Sequence, residues 1–202
     1  LHSVTAQIRL PLGAMLADRP KPKKYEMKST EVYKEISKII FPNLQSKGFK
    51  KTKSGMLGFY KQLKKLYLVI WFQCSRDGFD QFAGSKFIVE IQISETNEIG
   101  TASVVRQRLP FFLTDKDFDN ITKIENEIKD KLKKPPESYF IFSLAEDIQN
   151  WYKKKFEKTT TKYNNKSDIW FVYSEQADIE KWTKQLEPML NKIIYDFEQT
   201  EY

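Results

Sequence analysis

The chain has 202 residues, of which 40% are hydrophobic and 14% aromatic, and it carries a formal net charge of +7. That length and apolar content suit one ordinary domain with a real core and exclude a disordered chain. No run approaches the roughly 18 apolar residues that a membrane-spanning helix needs, and a single cysteine excludes an internal disulfide.

Residues 1–26 have neither helical nor strand periodicity, and Arg9 and Pro11 break their short apolar pieces, which argues against a signal peptide. They are expected to form a disordered or extended arm, with Met27 a candidate natural start and a single α+β domain over 27–202. The one histidine, His2, lies in that arm, so the folded body is expected to hold no histidine-dependent triad and no histidine-rich zinc site.

Val32, Ile36, Ile39, Ile40 and Leu44 recur at helical spacing behind Ser29 and Thr30, which suit an N-terminal cap. Pro42 is expected to kink or interrupt this helix, and Gly48 to close it. The period then changes to that of strands. MLGFYKQL, KKLYLVIWFQCS and SKFIVEIQIS predict three strands, separated by a turn at Lys64-Lys65 and by the longer RDGFDQFAG, and TASVVRQRL predicts a fourth that ends at Pro110. With no helix between them, these strands form an antiparallel meander. From Thr114 onward the pattern is helical, with Phe118, Ile121, Ile124, Ile128 and Leu132 on one stripe. The capping-box pattern SLAE begins a further helix with Leu144, Ile148, Trp151, Tyr152 and Phe156 on its apolar face. A polar loop over 157–168 leads to a short last strand, IWFVY, and a final helix carries Ile179, Trp182, Leu186, Met189, Ile193 and Phe197 through Pro188. The expected fold is α+β: an antiparallel meander sheet of about four to five strands with helices packed on one face.

Alternation assigns Leu66, Leu68, Ile70, Phe72 and Cys74 to one face of the second strand, so Cys74 completes an apolar row and is expected to serve packing. It has no activating histidine, and its spacing to Arg76 does not match the cysteine-phosphatase loop. The aspartates Asp115, Asp117 and Asp119 imitate an EF-hand start, but Asn120 and Asn126 occupy the places of its glycine and glutamate. No glycine-rich phosphate loop or dinucleotide fingerprint occurs, and no cofactor or metal is expected.

Charge distribution is more informative. Between Ile36 and Arg76 there is no acidic residue, while Lys38, Lys47, Lys50, Lys51, Lys53, Lys61, Lys64, Lys65 and Arg76 supply nine positive charges. Solvation of an exposed hairpin accounts for such a block; so does a surface for phosphates or an acidic protein. The candidate binding set is Lys50, Lys51, Lys53, Lys61, Lys64, Lys65 and Arg76, with Trp71 and Gln73 expected to be exposed on the neighbouring strand face.

The chain also resembles the bacterial domain-of-unknown-function family 4304, through the helix carrying Ile39, Pro42 and Leu44, the GFKK stretch from Gly48 to Lys51, the strand end Gln73-x-Ser75, FIV in the next strand, and the tryptophan of DIW ahead of the last helix. The resemblance implies a small bacterial protein without an assigned activity, of a kind associated with immunity or defence. Three functions follow as expectations. The first is a non-enzymatic cytoplasmic interaction protein with an acidic protein partner. The second is a nucleic-acid-binding protein using the lysine-rich hairpin 47–65. The third is a metal-dependent hydrolase or nuclease using Asp80 and Glu90, although Gln92 stands where the nuclease pattern has lysine.

Overall fold

The computed structural model describes residues 27–76, 78–80, 82–132 and 169–200. The expected arm 1–26, the capping-box helix with Leu144, Ile148, Trp151, Tyr152 and Phe156, and the polar loop 157–168 all lie outside these residues.

Helix α1 (Ser29–Ser46) buries Val32, Ile36, Ile40 and Leu44 of the stripe its periodicity predicts, and leaves Ile39 part-exposed at its margin. It continues through Pro42, so of the expected kink or interruption the interruption does not occur. The missing proline N–H costs one intrahelical bond a single turn from the helix end, where Ile40 and Leu44 flank it with buried side chains. Gly48, at φ 86°, then closes the helix: its N–H donates to the Gln45 carbonyl at 2.9 Å, and the Phe49 N–H to that of Leu44 at 3.0 Å.

Six antiparallel strands follow: β1 (Lys50–Lys51), β2 (Leu57–Leu63), β3 (Leu66–Cys74), β4 (Ser85–Ser94), β5 (Ser103–Arg108) and β6 (Phe171–Tyr173). The first five pair in chain order as a meander. The two-residue β1 escapes a periodicity argument because it is too short to alternate. The position of β6 is not local either. It pairs with Ser85–Phe87 of β4, on the edge that β5 occupies further along at Glu90–Ser94. Two strands distant in sequence therefore share one side of β4 end to end.

The predicted α+β architecture holds among the described residues. Helices α1, α2 (Asp115–Lys131) and α3 (Gln176–Gln199) contribute to one core against the sheet face formed by Phe59, Leu68, Ile70, Phe72, Phe87, Val89, Ile91 and Ile93. Trp182 fixes α3 to β6: its ring stands 5.1 Å from that of Phe171, and its indole N–H donates to the Val172 carbonyl at 2.6 Å. Buried Asp178 joins the start of α3 to the end of α2. Its carboxylate accepts from the Ser174 N–H and hydroxyl at 2.9 and 2.8 Å and meets the Lys131 ammonium at 3.4 Å. No helix of the described residues is long and apolar enough to cross a membrane.

Gly84 fixes the entry into β4. It exchanges two 2.8 Å backbone hydrogen bonds with Asp80, has φ +65°, and a Cβ there would stand 2.1 Å from the Tyr173 carbonyl oxygen. Both the dihedral and the approach of β6 require glycine. Gly84→Ala is accordingly expected to lower unfolding stability by about 2–4 kcal/mol, measured by urea denaturation; an unchanged midpoint would show that β6 does not need this close approach.

Candidate functional site

The second sheet face, away from the helices, carries Trp71 and Gln73, which were expected to be exposed. Instead β4 is buried on both sides: Ile88, Glu90, Gln92 and Ser94 are covered on the second face, together with Val69 and Trp71 of β3. Gln92 shows how part of this cover is held. Its amide nitrogen donates to Ser94 Oγ at 2.7 Å and to the Glu98 carbonyl and Thr101 Oγ1 at 3.1 Å, and its oxygen accepts from the Gly100 N–H at 3.1 Å. Gln92 thus pins the connection 95–102 back over the sheet.

Beside this pin lies a cluster of charged and aromatic side chains. The register sets Trp71 of β3, Glu90 of β4 and Arg108 of β5 across from one another, with Arg106 two residues earlier on the same face. Glu90, whose side chain is only 9% exposed, accepts from Arg106 Nε at 3.0 Å and stands 3.8 Å from Arg108 Nε. The Arg106 guanidinium lies 5.3 Å from the centroid of the Trp71 ring. That of Arg108 lies 5.5 Å from the Trp170 ring, which the Lys86 ammonium also approaches, at 4.6 Å. Trp170 immediately precedes β6, so the pairing of β6 with β4 is what brings it here.

Two arginines thus flank one carboxylate, and each guanidinium lies within cation–π distance of an indole ring. The arginine side chains remain 46% and 31% exposed. Such an array holds arginine forks in fixed orientation, the geometry that recognises carboxylates and phosphates. It supplies neither a nucleophile nor a general base, because Glu90 is engaged by the arginines.

The residues expected to bind are placed differently. Trp71 is 1% exposed, contrary to expectation, because Arg106 lies over its ring, and Gln73 is half-buried. The lysines do not share a surface. Lys50 sits opposite Tyr60 on the second-face side, while Lys51 sits opposite Phe59 with its ammonium 4.6 Å from the Phe41 ring. Lys53 is exposed in the loop after β1, and Lys61 pairs with Glu198 of α3 at 2.5 Å. Lys64 and Lys65 form the exposed β2–β3 turn, whereas Arg76 lies beyond the other end of β3, about 30 Å away along the strand. The structure therefore unites Trp71 and Glu90 with Lys86, Arg106, Arg108 and Trp170, and leaves the hairpin lysines dispersed. The alternation of Arg106 and Arg108 in VVRQR was the available signal for the cluster.

Asp80 and Glu90 do not converge. The Asp80 carboxylate accepts from the Phe82 and Ala83 N–H groups at 2.8 and 2.7 Å, closing its own loop against Gly84. From Gly84 to Glu90 is about 20 Å along the strand. Among the described residues no group of three or more histidine, cysteine or acidic side chains is placed to hold a metal ion. Cys74 lies on the core side, where its backbone N–H donates to the Tyr33 hydroxyl at 3.2 Å. Burial pushes its thiol up to about 11, and the Tyr33 hydroxyl up to about 12.

Comparison with protein-family models, curated proteins and solved structures finds no match to this chain.

Replacing Glu90 by Gln is expected to cost about 1–3 kcal/mol of unfolding stability, since the arginines would face a buried neutral amide; stability equal to the parent chain would show that the carboxylate does not organise the cluster. At about pH 8, a thiol at about 11 is ionised to roughly one part in a thousand. Iodoacetamide should therefore alkylate native Cys74 far more slowly than the urea-unfolded chain, and a matching rate would remove the burial argument. The sign for stability follows from the raised value. The contribution is fully present below the unfolded thiol's range and is lost as pH rises toward about 11.

Proposed function

We propose that the chain is a non-enzymatic binding protein that takes an acidic protein partner on the second face of its sheet. The observation that carries this reading is the pair of part-exposed arginines oriented by one buried carboxylate and lying within cation–π distance of Trp71 and Trp170. Holding the guanidinium groups before the partner arrives reduces the ordering cost of binding. Their charge favours carboxylates, and their planarity rewards a fixed approach. The immunity or defence setting suggested by the resemblance to domain-of-unknown-function family 4304 belongs to the same proposal. The dispersal of the hairpin lysines across two faces and both ends of β3 favours this cluster over the hairpin as the recognition surface.

The test compares the parent chain with an Arg106→Gln, Arg108→Gln double variant. Proteins captured from a lysate by the parent are purified and their affinities for both chains measured across a salt series. Loss of about tenfold or more in the variant, with affinity for the parent falling as salt rises, is the expected result. Equal affinity for both chains overturns the reading, as does capture that depends wholly on nucleic acid and disappears with nuclease treatment.

A further inference from the structure

We propose that a second copy of this chain docks in the groove between the start of α2 and the middle of α3, each copy placing Phe111 in the groove of the other. No residue of the arginine cluster takes part, so the dimer is independent of the acidic-partner reading.

The groove follows from the chain's path out of the sheet. After β5 the chain makes a 3-10 turn, Leu109–Phe112, that buries Leu109 and Pro110, and it then enters α2 through the Thr114 cap. Phe112, Leu113 and Asp117 form one wall of the groove and Pro188, Met189 and Lys192 of α3 the other, around a space of about 120 Å³. An apolar cavity of about 150 Å³ holds a benzene ring, so this space is of the order of one aromatic side chain. Such a ring stands beside it. Phe111 is 56% exposed and does not line the groove itself; its ring meets that of Phe112 edge-on at 5.6 Å, and Phe112 packs in turn on Phe197 at 5.5 Å. A lone exposed phenylalanine needs no explanation. One at the rim of a groove of its own size supplies both halves of a contact.

Charge selects the occupant. One wall carries an acidic residue, Asp117, and the other a basic residue, exposed Lys192. A partner surface of one charge sign suits only one wall, whereas a surface with both signs suits the pair, and this surface has both. A two-fold axis lets ring meet groove twice over, since the same patch serves as donor and receptor on each copy. The side of the groove that brings Phe111 also brings Asp117, and the groove it enters carries Lys192 on its far side. Two crossed pairs of opposite charge would then fix the approach. Tyr195, exposed two turns beyond Pro188 on the outward side of α3, extends the apolar surface along the helix. The net charge of +7 repels like copies at long range, but the charges at the groove itself balance.

The test follows self-association of the full chain by analytical ultracentrifugation, in about 0.15 M salt so that long-range repulsion is screened. The parent chain is expected to dimerise with a dissociation constant below about 0.1 mM, and Phe111→Ser to weaken the dimer about tenfold or more. Because Phe111 is exposed, the circular dichroism and urea midpoint of that variant should match the parent. Lys192→Glu and Asp117→Lys should each dimerise weakly alone, whereas an equal mixture restores both crossed pairs and with them the parent's affinity. Asp117→Lys gives up the bond to Thr114 in the α2 cap, so its fold is checked in the same way, and Phe111→Ser decides if it fails. A parent chain that stays monomeric overturns the proposal; weaker binding of the purified partners by Phe111→Ser would then assign the groove to a different protein. A dimer that Phe111→Ser leaves intact also overturns it, since the contact lies elsewhere, as does a mixture of folded charge variants no more dimeric than its components. The arginine cluster is judged separately, by the Arg106→Gln, Arg108→Gln variant.

Discussion

A polar side chain that has lost water must find all its partners within the protein, and Gln92 is the residue on which that constraint bears most heavily. It is fully buried in a strand covered on both sides. Its hydrogen bonds to Ser94, Glu98, Gly100 and Thr101 turn a potential cost into a fixed path for the connection 95–102. That connection leads into β5, so the residue that satisfies its own amide also helps set where Arg106 and Arg108 emerge. Glu90 obeys the same constraint one step along the face, and arginines are its partners. The charge cluster is thus a consequence of a doubly covered strand that kept polar residues on one side.

The two faces are stabilised by different physics. On the helix side, the apolar rows of β3 and β4 meet α1, α2 and α3 in one hydrophobic core, where burial needs no orientation beyond packing. On the other side, stability depends on direction: hydrogen bonds at Gln92, an ion pair at Glu90 and cations over indole rings. Directional contacts hold side chains at defined angles, and on this side Arg106 and Arg108 combine such orientation with access to solvent. A recognition surface gains from both properties.

Much of the fold was legible in the residues themselves. The stripes of α1, α2 and α3, the four longer strands and the turn at Lys64-Lys65 all follow from periods of 3.6 and 2 with turn signals between them. The continuity of α1 through Pro42 was not, because packing around the last turn outweighs a single missing donor. Nor was the position of β6, since three residues that pair with the start of β4 have no local signal of their destination. The site suffered for the same reason. Alternation placed Trp71 on the polar side correctly, but nothing local says that Arg106 covers it or that Trp170 arrives beside Arg108. The lysine block drew attention because linear charge density is visible in a sequence, whereas its division between opposite faces is a property of strand pairing.

The contrast between these two basic groups bears on the proposed recognition surface. The hairpin lysines are flexible point charges at dispersed positions, and Lys61 is drawn to Glu198 on the helix side. Such charges raise solubility and long-range attraction but impose little geometry. Arg106 and Arg108 are held at their Nε atoms by a carboxylate and laid against rings. Charge alone attracts many ligands, whereas charge held in a fixed plane rewards one approach. In the proposed reading the lysines would contribute long-range attraction and the oriented arginines the fit.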